Sequence, residues 1–231
     1  MRWKGRSGSR NIEDRRALGG GKIAAGGGIG VLVVAAIIYF MGGDPSQVLN
    51  TLQTTGGGYG TGDSTTIRAE AELAEFASVV LKDTEDIWHE LFRINGKVYR
   101  EPTLVLFSGA AESACGYAES ATGPFYCPGD EKVYIDLSFL DDLQRRLGAQ
   151  GDFAMAYIIA HEVGHHVQKQ WGILDEVHAL RGRVSEAEYN RQTVRLELQA
   201  DFLAGIWAHY AQTTKTIRAE GDVAAAVTAA A

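Results

Sequence analysis

His161-Glu162-Val163-Gly164-His165 is the stretch on which the interpretation of this chain depends, and it lies in a helical run that begins near Asp152. Residues four apart share one face of an α-helix, so the two imidazoles can point to one position. Glu162 lies roughly 100° round the helix from His161, which places its carboxylate beside that position. This spacing is typical of a pair of zinc ligands next to a general base that activates water.

A third ligand is expected, because catalytic zinc normally has three protein ligands and keeps a fourth position open. Glu197 lies in a second helical segment, which Ser185 and Glu188 are predicted to open as a capping box. Asp201 shares a helix face with Glu197. We therefore expect Glu197 to bind the metal and Asp201 to orient a ligand histidine. The alternative is that these two carboxylates form only a solvated charge patch.

Four segments of the chain together resemble a known family. They are residues 161–168 (HEVGHHVQ), 197–201 (ELQAD), 123–137 (GPFYCPGDEKVYIDL) and 1–16 (MRWKGRSGSRNIEDRR). In these segments the chain is similar to the neutral zinc metallopeptidases, the YpfJ-type membrane-anchored proteins of bacteria. The resemblance implies a zincin-like catalytic domain outside the cytoplasmic membrane, with zinc-dependent peptidase activity. It also implies a chain that continues past residues 220–222, so we interpret the carboxyl end as short or truncated.

The amino-terminal part of the chain has the pattern of a membrane anchor. Residues 1–22 contain 7 of the 22 Lys/Arg but only 2 of the 29 Asp/Glu, a net of +5, whereas the remainder carries 15 against 27, or −12. Residues 23–41 are uncharged and long enough to cross a bilayer as a helix. By the positive-inside rule, residues 1–22 form a basic cytoplasmic head and the rest of the chain is exported from the cytoplasm. A cleaved signal peptide is the alternative.

The remainder of the chain is predicted to be a linker and one domain. Residues 42–66 are rich in Gly, Ser and Thr, as in flexible tethers, and residues 67–231 form the zincin-like domain. The fold class is therefore α+β, mainly helical with a small β-sheet, and preceded by one transmembrane helix. Hydrophobic spacing predicts a first domain helix over about residues 67–92.

Two short β-rich runs, residues 103–107 and 133–137, are predicted to pair in the small sheet. By analogy with zincin folds, residues 104–108, or the turn after them, would form the edge along the cleft and bind a peptide backbone by strand addition.

Cys115 and Cys127 are the two cysteines of the chain. In an exported domain they are expected to form a disulfide, worth about 3 kcal/mol in the chain-entropy picture. The alternative is that one of them replaces Glu197 as the third zinc ligand. Peptide deformylases, which also carry H-E-x-x-H, use a cysteine in that way.

The predicted function is that of a membrane-anchored zinc metallopeptidase acting on a peptide or protein substrate, with Glu162 as general base. The alternatives are a cysteine-ligated, deformylase-like amide hydrolase and a non-catalytic zinc-binding membrane scaffold. The Gly26-x-x-x-Gly30 spacing would let two anchors pack as a homodimer. No feature indicates nucleic acid or an organic cofactor. The candidates for stabilising a substrate oxyanion are Tyr157, His166, His178 and His209.

Overall fold

The computed structural model describes residues 1–16, 64–119, 123–141 and 151–213. Within them the elements are, in order, β1 (Ile12–Asp14), α1 (Ser64–Ile94), β2 (Thr103–Phe107), β3 (Ala110–Ser113), β4 (Gly116–Glu119), β5 (Phe125–Cys127), β6 (Lys132–Asp136), α2 (Gly151–Gln170), α3 (Ile173–His178) and α4 (Glu186–Thr213). This mixture of long helices and short strands agrees with the predicted α+β class.

The main sheet has four strands in the order β1-β2-β6-β5, and β3 and β4 form a separate antiparallel hairpin. β2 pairs in parallel with β6, with Leu104 opposite Val133, so the predicted pairing of the two β-rich runs is confirmed. The prediction that residues 104–108 form the edge strand is wrong, because β1 pairs with the outer side of β2. The edge strand next to α2 is β5 instead, which pairs with β6 in an antiparallel ladder.

The core lies between the sheet and the three long helices. α2 turns Ile159, Val163 and Val167 inward, and all three side chains are fully buried. A methyl group added at Gly164 would lie only 3.0 Å from the carbonyl oxygen of Ala200 on α4. Gly164 therefore lets α2 and α4 approach closely, and this close approach positions the functional residues of both helices.

The amino-terminal head, residues 1–22, was expected to be separate from the domain. Its described part, residues 1–16, is built into the domain: β1 extends the main sheet, and Trp3 is buried with Phe76 in the core. The domain also begins slightly earlier than the predicted residue 67, since α1 starts at Ser64.

The predicted transmembrane segment, residues 23–41, lies outside the described residues, as do most of the predicted linker and the chain from residue 214 onward. Among the helices in the described ranges, none combines the length and apolar character needed to cross a membrane.

Candidate metal centre

Three side chains from two helices converge on one point. His161 and His165 lie one turn apart on α2, and Glu197 approaches them from α4. One carboxylate oxygen of Glu197 is 3.3 Å from Nε2 of His161 and 3.4 Å from Nε2 of His165. Two donors bound to one zinc ion at tetrahedral angles are separated by about 3.4 Å. The spacing of these donor atoms therefore fits a tetrahedral zinc site with three protein ligands.

The other ring nitrogen of each histidine has a partner that fixes its orientation. Nδ1 of His161 lies 2.8 Å from a carboxylate oxygen of Asp201, and Nδ1 of His165 lies 2.9 Å from the amide oxygen of Gln168. Since both partners are acceptors, each Nδ1 carries a proton, and in the neutral ring each Nε2 presents its lone pair. That is the tautomer a metal ligand requires.

Gln168 belongs to the candidate site, and the sequence interpretation missed it. It is fully buried, and its amide nitrogen donates to the carbonyl oxygen of Leu196 at 2.7 Å and to Gln199 at 3.0 Å. It therefore connects a ligand histidine on α2 to the backbone of α4, one residue before Glu197. The sequence does contain a signal for this contact, because Gln168 lies three residues after His165 and so shares its helix face.

The charges of the ligands favour binding of a cation. Burial lowers the pKa of His161, but the carboxylates of Glu197 and Asp201 and the charge of Glu162 outweigh burial and raise this pKa to about 9. Hydrogen bonds from His161 and His165 hold the pKa of the Glu197 carboxyl well below its usual range. The cluster therefore attracts positive charge, which a proton or a metal ion can supply.

Glu162 lies beside the ligands, in a nearly buried position with 8% of its surface exposed. Burial raises the pKa of its carboxyl, while the imidazoles of His165 and His161 oppose that rise. The backbone N–H of Tyr126 in β5 donates a hydrogen bond to the same carboxylate. A buried, oriented carboxylate with a raised pKa is a stronger base than a solvated one, which suits it to accept a proton from water.

The ligands and Glu162 open into a cleft of about 320 Å³. Its other lining residues come from the region of β5, from α3 and from the first half of α4: Pro124, Phe125, Tyr126, Pro128, Leu174, His178, Thr193 and Leu196. The edge strand of the sheet therefore borders the cleft directly.

The four candidates for oxyanion stabilisation lie in different places. His178 lines the cleft. His166 is buried and bonded at both nitrogens, to the Tyr126 hydroxyl at 3.0 Å and to the Arg100 carbonyl at 2.7 Å. The Tyr157 hydroxyl donates to the Asp201 carbonyl at 3.0 Å, and the His209 ring lies edge-on to Tyr210. His178 is thus the candidate that the structure brings to the metal centre.

Cys115 and Cys127 are joined in a disulfide, with Cα atoms 5.7 Å apart. The bond connects the turn between β3 and β4 to the last residue of β5. Because both sulfur atoms are used in this bond, neither cysteine takes the place of Glu197 as a metal ligand.

Comparisons with known proteins were made over the whole chain. The sequence profile of the family described as "Putative neutral zinc metallopeptidase" matches residues 1–231. YpfJ of Escherichia coli strain K12 is 44% identical over 241 aligned residues, which cover 100% of this chain and 82% of YpfJ. Mb2605 of Mycobacterium bovis is 46% identical over 118 residues, or 51% of this chain and 39% of that protein. No solved structure matches the chain significantly.

Proposed function

Because this chain belongs to the neutral zinc metallopeptidase family, we propose that it hydrolyses peptide bonds with His161, His165 and Glu197 as its zinc ligands. The observation that supports the proposal most strongly is a distance. One carboxylate oxygen of Glu197 lies from both imidazole Nε2 atoms at the spacing expected of ligands in a tetrahedral zinc site. Both Nδ1 atoms are already bonded to acceptors, so this arrangement presents three lone pairs to one point.

The groups around this point have different roles in the proposed reaction. Zinc, when bound, supplies a Lewis acid that polarises a carbonyl and lowers the pKa of water. Glu162 accepts the proton of the attacking water and returns it to the leaving amine as the C–N bond breaks. Burial suits Glu162 to the first step, because a carboxylate with a raised pKa is a stronger base. The carboxyl formed in that step then holds the proton that the leaving amine needs.

The position of β5 supports an extended peptide as substrate. β5 is the edge strand of the main sheet, and its residues Phe125 and Tyr126 line the cleft beside Glu162. An extended peptide that pairs with a free strand edge gains backbone hydrogen bonds whatever its side chains are. The edge strand is therefore suited to hold a scissile bond close to the general base.

The two alternative functions make different predictions about the ligands and about Glu162. A cysteine-ligated amide hydrolase requires a free thiolate at the metal, which the Cys115–Cys127 disulfide does not provide. A non-catalytic scaffold would bind zinc through the same three residues but would not depend on Glu162. Membrane attachment through residues 23–41 is a further part of the proposal, and it is supported by their uncharged sequence.

The test is cleavage of an unfolded protein substrate by the purified full chain, with Glu162→Gln beside the wild type. We expect Glu162→Gln to retain zinc and to lose nearly all hydrolysis, since only the proton acceptor is removed. Glu186→Gln, an exposed glutamate at the start of α4, is the matched control and should cleave like the wild type. Hydrolysis that survives in Glu162→Gln would contradict the proposed role, and a zinc-loaded wild type without any hydrolysis would favour the scaffold.

A further inference from the structure

Residues 1–16 occupy a surface of the domain formed by α1 and β2. β1 lies in parallel register with β2, with Ile12 opposite Leu104. Three further backbone hydrogen bonds secure the segment. Leu104 N–H donates to the Asn11 carbonyl and Arg15 N–H to the Leu106 carbonyl, both at 2.8 Å, and Ser9 N–H donates to the Ser78 carbonyl at 2.9 Å. The amino-terminal segment is therefore bonded to both elements through its backbone.

Two buried carboxylates on α1 take their partners from this segment. Asp83 is 5% exposed and forms a two-pronged ion pair with the Arg6 guanidinium. Glu85 is 4% exposed, and one of its oxygens accepts hydrogen bonds from Ser9 Oγ at 2.6 Å and from Asn11 Nδ2 at 2.8 Å. Buried carboxylates are costly unless they are paired. The chemistry of this surface thus matches residues 1–16 in particular.

The same segment reaches the helix that carries the metal ligands. The indole of Trp3 is 5% exposed, lies edge-on to Phe76 with ring centres 5.5 Å apart, and donates from Nε1 to Asp152 at 3.2 Å. Asp152 is in the first turn of α2. The head is consequently part of the packing that holds α2 in place.

Four of the basic residues that predicted a cytoplasmic head form ion pairs in the folded protein. The pairs are Lys4 with Glu72, Arg6 with Asp83, Arg15 with Glu13, and Arg16 with Asp14. Two of these four pairs reach across to α1. The positive charge of the segment is thus partly used for docking on the domain, where it has a role other than setting membrane orientation.

We propose that the surface of α1 and β2 is a docking site for residues 1–16 of the same chain, so that the head and the metal-binding domain lie on the same side of the membrane. Arg16 and Ser64 then both belong to a folded domain that lies on one side of the membrane. A single crossing by residues 23–41 would separate the head from the domain and leave Asp83 and Glu85 without these partners. This proposal does not depend on zinc or on catalysis.

Accessibility to a membrane-impermeant maleimide tests the proposal. Ser7 and Val98 are both exposed, Ser7 in the head and Val98 between α1 and β2. Ser7→Cys and Val98→Cys are made separately in the full chain, and each is labelled in intact spheroplasts and again after lysis. The parent protein, whose two cysteines are bonded to each other, is the blank.

We expect the two introduced cysteines to react alike. Either both are labelled in intact spheroplasts, or both are labelled only after lysis. Labelling of one site in intact spheroplasts while the other requires lysis would overturn the proposal, since head and domain would then face opposite sides.

A designed cross-link tests whether the docked segment comes from the same chain. A Cβ at Gly8 would lie 3.1 Å from Cβ of Ser78. Disulfides need about 3.5–4.5 Å between these atoms, so a small outward shift of the exposed segment allows the bond. Gly8→Cys/Ser78→Cys should form an intrachain disulfide under mild oxidation of the full chain in its membrane. Gly5→Cys/Ser78→Cys is the control, because Gly5 has no neighbour within 4 Å. A disulfide between two chains, or none beyond the control, would contradict docking within one chain.

Discussion

A carboxylate oxygen of Asp201 on α4 lies 2.8 Å from Nδ1 of His161 on α2. This contact joins the two helices that carry the proposed metal ligands, and it directs Nε2 of His161 toward Glu197. The orientation of the first proposed ligand is therefore set by a residue outside the proposed ligand set.

Asp201→Ala should weaken zinc binding without abolishing it. Loss of a hydrogen-bond partner behind a ligand histidine typically lowers metal affinity by about 10- to 100-fold. Competition with a chromophoric chelator measures this change directly. Glu186→Ala, on the same helix but away from the site, should bind zinc like the wild type. Equal affinities for Asp201→Ala and wild type would show that the 2.8 Å contact has no part in metal binding.

Gln168→Ala should affect both metal affinity and folding stability. The side chain bonds His165 on one side and the Leu196 carbonyl on the other, and it is fully buried. Its removal leaves buried polar groups without partners, at a cost of about 1–3 kcal/mol. Urea unfolding of the chelator-treated protein measures the stability, and chelator competition measures the zinc affinity. Gln212→Ala, at an exposed position near the end of α4, is the matched control.

His178→Ala should lower the turnover number and leave the zinc content unchanged. His178 lines the cleft but is not one of the three clustered ligands. Removing a hydrogen-bond donor to a developing oxyanion typically costs about 100-fold or more in turnover. His209→Ala is the control, since its ring contacts Tyr210 and does not line the cleft. Wild-type turnover in His178→Ala would exclude His178 from this role.

The stability of the chelator-treated protein should fall as the pH rises from about 6.5 toward 9. The pKa of His161 is raised from 6.5 to about 9 by the surrounding carboxylates, against the effect of burial. A histidine with a raised folded-state pKa contributes stability that is complete below its unfolded pKa and is lost as the pH rises through its folded pKa. The contribution is at most about 3 kcal/mol.

Zinc affinity should show the opposite pH dependence over the same range. Zinc competes with protons for the His161 ring, so affinity increases as this group loses its proton. Thermal unfolding with chelator and with zinc, at pH 6.5 and at pH 9, measures both effects. Destabilisation of the chelator-treated protein toward pH 6.5 would contradict the assigned sign.

Arg6→Ala should destabilise the fold by about 3 kcal/mol, because it leaves the buried carboxylate of Asp83 without its cation. Arg10→Ala is the matched control, since Arg10 is an exposed arginine of the same segment. Urea unfolding of the two variants provides the comparison. Equal midpoints for both variants would show that the Arg6–Asp83 pair does not secure the head.

The parts of the structure that were predictable from sequence are those set by local geometry. The spacing of His161 and His165 on one helix, and of Glu197 and Asp201 on another, fixes which side chains share a face. Ser185 likewise caps α4 as its position predicts, by accepting a bond from the Glu188 N–H at 3.2 Å.

The parts that escaped prediction depend on contacts between distant segments. β1 has only three residues and no hydrophobic alternation, so its pairing with β2 has no local signal. The edge-strand prediction for residues 104–108 rests on analogy with zincin folds, which carries no information about β1. The basic residues near the amino terminus favour an interpretation as a cytoplasmic head by the positive-inside rule. No local signal in the sequence indicates that Lys4 and Arg6 pair with Glu72 and Asp83 on α1.

The molar ratio of zinc to purified protein, measured for wild type, Glu197→Ala and Glu186→Ala, tests the proposed metal centre most directly. The three-ligand site predicts a ratio near one for wild type and Glu186→Ala, and a large loss for Glu197→Ala. Full zinc content in Glu197→Ala, or no zinc in the wild type, would contradict it.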